Sequence, residues 1–251
     1  MKIRLDKLLV ERGLAPSRER AQALIIAGKV LVNEQKIDKS GREVEADAAI
    51  RLLGEDLRYV SRGGVKLEAA LDHWHIEVRG RTCMDVGAST GGFTDCLLQH
   101  GAARVIAVDT GYGQIDLRLR NDPRVRLLEK TNARYLRRED LGEAVSLVVM
   151  DVSFISATLV LPAAIEAAFA EPTIAADELV VLVKPQFEVG RESVGKGGIV
   201  RDAGLQSGAV ERVRRRLGEL GWRHAEVIDS PIFGAEGNRE FLLYSRRGKP
   251  S

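Results

Sequence analysis

The sequence predicts a doubly wound α/β domain preceded by a small α+β unit of about fifty residues. Three observations carry this. From residue 64 onward, short β-rich apolar runs alternate with helical patterns. Before that point the chain holds two amphipathic helices and a hairpin. The charge is also unevenly divided: residues 1–42 hold ten Lys/Arg against five Asp/Glu, residues 43–62 three against five, and the rest is nearly neutral.

The first helix is written in RLDKLLVERGL, where Leu5, Leu8 and Leu9 share a face and Gly13 closes the element. The second lies in PSRERAQALIIAGK, with Pro16 and Ser17 as start signals, Ala21, Leu24 and Ile25 as the stripe and Gly28 as the stop. KVLVNEQKI alternates Val30 and Val32 around an Asn33-Glu34 turn, a short hairpin. So few elements bury little surface, so the unit exists to present something, and its positive charge points to a polyanion. Arg18 and Arg20 sit in the first helical turn, where free backbone N–H groups would add to side-chain attraction for phosphate. RYVSRGG, residues 58–64, is the expected linker between residues 1–57 and the domain at 65–251.

The second unit follows as TCMDV, RVIAVD, SLVVMDV and ELVVLVK, four runs of the kind buried in a parallel sheet. GFTDCLLQHG, ATLVLPAAIEAAFA and GAVERVRRRLGELGW supply helices, and REFLLYS a final strand. In the first strand-to-helix turn, DVGASTGGF, small residues let the backbone approach a ligand. A dinucleotide enzyme would show GxGxxG, but Ser89 stands at the second glycine. Asp85, at the strand end, repels pyrophosphate and suits a ligand carrying an ammonium and a sulfonium. Asp109 ends the next strand, where a carboxylate can accept both hydroxyls of a ribose. The pattern reads as S-adenosylmethionine binding.

Charged residues also border the strands. Asp151 and Lys184 end theirs, Lys66 opens the domain's first helix, and Glu240 begins the last strand. Each alone is most simply a salt-bridge partner, but four converge on one rim of this fold.

Residues 3–53 resemble the S4 domain, an RNA-binding module, which implies a grip on structured RNA with Arg4, Arg18, Arg20 and Lys29 as leading contacts. Lys66, Asp151, Lys184 and Glu240 resemble the Lys-Asp-Lys-Glu tetrad of FtsJ-like RNA 2′-O-ribose methyltransferases, which have a Rossmann-like domain. With YVSRGGVKL, DVGASTGGFTD, VDTGYGQ, RNDPRV, EKTNAR, MDVSFIS, LVKPQFEVG and GNREF in order, the whole chain is similar to the TlyA family, also labelled haemolysin A. The resemblance implies cofactor contacts at Asp85, Gly87, Ser89, Gly91, Phe93, Asp109 and Asn132, and Lys184 as base or orienter. Thr90 departs from the proline usual in FtsJ enzymes. Arg58-Tyr59-Val60 occupies the place of a short signature thought to couple RNA engagement to the cofactor site.

Several classes are disfavoured. The most apolar stretch, Val145 to Ala170, is interrupted by Asp151, Pro162 and Glu166, short of a membrane span. Cys83 and Cys96 form no CxxC, and the four histidines lack ligand spacing, so neither disulfides nor a metal is expected. With no signal-peptide core, a cytoplasmic protein is expected. The expected activity is methylation of ribosomal RNA or a ribosomal subunit. The alternatives are a non-enzymatic RNA-binding assembly factor and, behind it, a pore-forming haemolysin. The short termini suggest a large-subunit cytidine as target. The glycine-rich segment 190–202 is expected to be a flap ordered by RNA.

Overall fold

A computed structural model describes residues 2–15, 17–52, 58–169, 177–234 and 237–247, so the Pro16 start signal lies outside the described residues. The chain divides into residues 1–57 and 58–251.

In the first unit, β1 (Lys2–Arg4) leads into α1 (Leu5–Glu11), followed by α2 (Arg18–Ile26), β2 (Val30–Val32), β3 (Gln35–Ile37), β4 (Glu43–Glu45) and β5 (Ile50–Leu52). The helices end as expected, with Gly13 at φ +68° and Gly28 at φ +65°, the left-handed conformation that glycine adopts without penalty. Asn33 and Glu34 both take positive φ, the twist a two-residue hairpin needs. Alternation in β2 fails: Leu31 is buried with Val30 and Val32, and β2 is the central strand of its sheet, between β3 and β5. Leu5, Leu8, Leu9, Leu24, Ile25 and Val30 form the core of this unit.

The second unit begins earlier than the sequence suggests. Tyr59 is buried, Val60 N–H donates to Asp95 Oδ2 (2.8 Å), and α3 (Gly63–His73) starts inside the supposed linker. A Cβ on Gly64 would collide with the Tyr59 ring, so glycine there is what lets the aromatic dock. Residues 58–64 therefore pack as part of this unit rather than forming a free hinge.

From there run β6 (Thr82–Val86), α4 (Gly92–Gln99), β7 (Arg104–Val108), α5 (Leu117–Arg120), β8 (Val125–Leu128), α6 (Arg138–Leu141), β9 (Leu147–Met150) and α7 (Ala157–Phe169). They continue as β10 (Asp177–Val183), α8 (Pro185–Glu188), α9 (Ala203–Glu219), β11 (Ala225–Asp229) and β12 (Phe241–Arg247). The sheet order is β11-β12-β10-β9-β6-β7-β8, with β12 antiparallel to both neighbours and the other pairings parallel. β8 and β11 escape a reading by apolar runs. β8 carries Arg126, whose guanidinium caps carbonyls of Asp140 and Leu141, and β11 is a partly exposed edge.

The chain leaves β6 toward β7 on one side and returns to β9 on the other, so a crevice opens beyond the carboxyl ends of β6 and β9. Asp151 N–H bonds Val86 O (2.9 Å) there and holds the two strand ends together.

Candidate active site

The turn after β6 is shaped by glycine. Gly87 (φ +88°) and Gly91 (φ +95°) occupy left-handed conformations, and Ser89 between them also has positive φ. A Cβ on Gly87 would strike the Asp151 carbonyl oxygen, and one on Gly91 the Leu119 side chain. Gly87 thus lets β6 and β9 end side by side, while Gly91 lets α4 begin against α5.

Asp85 lies beneath this turn. It is fully buried, and its Oδ2 accepts from the Thr94 hydroxyl (2.6 Å) in the first turn of α4. Burial pushes its carboxyl up to about 7, against the opposing pull of the Thr94 bond. Its Oδ1 has no hydrogen-bond donor among the described residues.

Above the turn is a cavity of about 420 Å³ whose wall includes Gly87, Ser89, Asp109, Asn132, Asp151 and Ile155. That size falls within the ~300–1,000 Å³ of small-molecule sites. Asp109 Oδ2 accepts from Ser89 N–H (2.7 Å) and Oδ1 from Gly111 N–H (2.6 Å). These bonds fix the carboxylate and leave each oxygen a lone pair for a further donor. Asn132 Oδ1 accepts from Arg134 N–H (3.1 Å), which sets the amide's orientation.

A second cavity, about 270 Å³, shares Gly87, Ser89, Asp151 and Ser153 with the first, and its wall brings together Lys66, Asp151, Lys184 and Glu240. Phe93 lines this second cavity rather than the first. The four charges form two pairs: Lys66 Nζ lies 2.5 Å from Glu240 Oε2, and Lys184 Nζ 2.6 Å from Asp151 Oδ1. Lys184 Nζ also donates to Ser153 Oγ (2.7 Å). Asp151 Oδ1 is buried, and its charge is met by the Lys184 ammonium. Salt bridging and site formation are therefore not competing accounts of these residues, since both pairs sit in a cavity wall.

Sequence reasoning missed Ser153 and Phe154, two and three residues after Asp151. Both line a third cavity of about 360 Å³ with Lys184, Gln186, Phe187 and Glu240. Phe154 has φ +65°, 92% of its surface exposed, and its ring 5.4 Å from that of Phe187. A large aromatic in that backbone conformation is the signal, and it is visible only in the folded chain. The end of the expected flap is fixed: Asn238 donates to Gly198 O (2.8 Å) and accepts from Val200 N–H (3.0 Å), and Gln206 donates to Val200 O (2.8 Å).

In the first unit, Arg4 and Arg18 both bond the buried Asp6 (2.9 and 3.0 Å), and Gln22 adds a third donor (2.9 Å). The Arg4 bond is the largest cause holding the Asp6 carboxyl well below its ordinary range. Both guanidinium groups remain about half exposed. The first helical turn differs from expectation, because Arg20 N–H is taken by Ser17 Oγ (3.2 Å), the helix cap. One of the N–H groups expected to be free there is therefore already satisfied. Lys29 is half-buried just after Gly28.

Among the described residues, no group of three or more His, Cys, Asp or Glu could hold a metal, and no helix is long and apolar enough to cross a membrane.

A doubly wound domain with an acid-flanked glycine turn opening on paired Lys and carboxylate side chains defines an α/β methyltransferase. The FtsJ-like methyltransferase family matches residues 59–247, and the S4 domain residues 3–50. The chain is 49% identical over 244 residues to the 16S/23S rRNA (cytidine-2′-O)-methyltransferase TlyA of Mycobacterium tuberculosis, covering 97% of this chain and 89% of the relative. A solved, hemolysin-labelled protein of Streptococcus thermophilus matches with TM-score 0.73 and 41% identity over 99% of this chain and 89% of that one. An O-methyltransferase of Bacillus cereus shares the fold alone, with TM-score 0.51 and 12% identity over 76% of this chain and 84% of that one. The chain belongs to the TlyA family of FtsJ-like methyltransferases that carry an S4 domain.

Proposed function

We propose that this enzyme uses S-adenosylmethionine to methylate a ribose 2′-hydroxyl of ribosomal RNA in the cytoplasm, with the S4 unit gripping the RNA. The observation that carries the reading is the shared wall: Gly87, Ser89, Asp151 and Ser153 line both the cavity of Asp109 and Asn132 and the cavity of the two Lys–carboxylate pairs. A cofactor in the first cavity thereby adjoins a nucleotide in the second.

The residues present suit that cofactor. Asp109 offers lone pairs to ribose hydroxyls, and Val86, Val108 and Ile155 offer apolar wall. When bound, the cofactor supplies a methyl on a sulfonium, whose leaving group needs no proton. The chain's own task is to place the ribose oxygen and receive its proton. Lys184 Nζ, held by Ser153 and Asp151, is the group that orients the hydroxyl. The departing proton ends on the Asp151 carboxylate: the Lys184 ammonium passes one of its own protons to Asp151 as it takes up the hydroxyl's, so lysine stays charged and the carboxylate is neutralised. Lys66 and Glu240 complete the wall of the second cavity.

A cytidine is the proposed base, since the Mycobacterium tuberculosis relative is named for cytidines of 16S and 23S rRNA, and a large-subunit site is the first to be tested. The test is transfer of tritium from labelled S-adenosylmethionine to ribosomal RNA, with the mark mapped by resistance to alkaline cleavage. Mapping both rRNAs from cells with and without the gene identifies the nucleotide. A mark lost from the small subunit would show a wider substrate range, and no transfer to either RNA would overturn the reading.

A further inference from the structure

Glu188 is a buried carboxylate that the reaction above does not use. It ends α8, one turn after Lys184, and only 3% of its surface is exposed. Its Oε1 accepts from Ala157 N–H (2.7 Å) and its Oε2 from the Ser156 hydroxyl (2.5 Å). Ser156 in turn accepts from Thr158 N–H (3.2 Å). The N-terminus of α7 is thus capped from another element, 31 residues away along the chain. Burial raises the Glu188 carboxyl, while the two bonds and the Arg212 charge favour its ionised form. The positive end of α7 supports that form too.

This grip joins two segments of the site. On one side, Phe187 N–H bonds Lys184 O (2.9 Å), so α8 holds Lys184 and Glu188 on one rigid turn. On the other, residues 151–156 run from the strand end to the capped helix and carry Asp151 and Ser153, both Lys184 contacts. That run also contains Phe154 in its strained positive-φ conformation, which surrounding structure must hold in place. Asp151 N–H on Val86 O fastens its start, and Glu188 fastens its end.

We infer that Glu188 is a positioning residue, a clamp that holds the 151–156 segment against Lys184 so that Asp151 and Ser153 keep contact with its ammonium. The inference rests on the methyl-transfer reading. An error of about 1 Å in such a constellation costs on the order of 100-fold in rate. The clamp works by length and by accepting the Ala157 amide. Glutamine keeps both, because the Ser156 hydroxyl can turn to accept from its amide; aspartate keeps the charge but is one methylene short.

The test compares Glu188→Ala, Glu188→Gln and Glu188→Asp in the full chain. Single-turnover tritium transfer to ribosomal RNA, S-adenosylmethionine affinity by calorimetry and hydrogen exchange at the Ala157 amide are read together. Glu188→Ala is expected to transfer roughly 10–100-fold more slowly, to bind the cofactor within about threefold of wild type, and to exchange the Ala157 amide faster. Glu188→Gln should recover most of the rate, and Glu188→Asp should not. A folded Glu188→Ala at wild-type rate overturns the clamp. If that variant does not fold, Glu188→Asp matching or exceeding Glu188→Gln overturns it. Lys184→Ala runs in parallel: unimpaired transfer by that variant overturns the reaction assignment instead, while amide exchange still reports on the clamp.

Discussion

Lys66 and Glu240 meet at 2.5 Å although they stand 174 positions apart in the chain, both nearly closed off from solvent. The pair ties α3, the first helix of the catalytic unit, to the start of β12. Removing one partner of such a pair strands the other charge. Lys66→Met should therefore cost about 3–5 kcal/mol in denaturant unfolding. Lys66→Met/Glu240→Leu should recover most of that stability while methyl transfer stays abolished. Recovery of both stability and turnover would assign the pair to architecture alone.

Lys184→Ala should lower turnover by about 100- to 10,000-fold, the range for losing a positioned proton-transfer group. Cofactor affinity should fall only slightly. Asp109→Ala should do the reverse, weakening cofactor binding by about 10- to 100-fold through missing charge-assisted hydrogen bonds and a loosened Ser89–Gly111 turn. Calorimetry beside single-turnover rates separates the two, and wild-type turnover in Lys184→Ala would sink its role.

Asp85 should make stability fall as pH rises. Its folded carboxyl ionises near 7 and its unfolded one near 3.8, so the folded chain holds one more proton between those values. The contribution is fully present below about pH 4 and lost as pH climbs through about 7, on the order of a few kcal/mol. Asp85→Asn keeps an acceptor for Thr94 but has nothing to ionise. Its stability relative to wild type, from denaturant curves without cofactor, should improve between pH 5 and pH 8. An unchanged difference would place the ionisation elsewhere.

Substituting Arg18 and Arg20 together should weaken RNA binding and reduce the log–log salt slope by about one for each phosphate no longer neutralised. Arg18 also bonds buried Asp6, so Arg18→Ala should lower the stability of the first unit as well. Binding titrations at several salt concentrations, with thermal melts of the same proteins, separate weaker phosphate binding from unfolding. A slope that does not change would move the RNA surface away from α2.

Much of this was legible because the signals are local. Gly13, Gly28 and the Asn33-Glu34 turn need backbone conformations that few sequences provide, and β6, β7, β9 and β10 are buried on both faces. Lys66, Asp151, Lys184 and Glu240 stand out as charges beside apolar runs. The rest depends on partners distant in sequence. β8 hides behind Arg126, which finds its carbonyls only after folding, and β11 behind partial exposure. Tyr59 joins the second unit because Gly64 makes room five residues on. Phe154 and Glu188 draw their roles from a backbone angle and from a helix end supplied by another element.

The position of β12 has a consequence for synthesis. Threaded between β10 and β11, it is the last strand of the sheet to leave the ribosome, and it brings Glu240 to a lysine made 174 residues earlier. Until then Lys66 lacks Glu240 as its counter-ion, and the wall of the second cavity lacks that residue. A nascent chain can fold its S4 unit and close β6 onto β7 long before it can assemble the four charges. On the proposed reading, the unit that would hold RNA is complete before the four charges that would modify it.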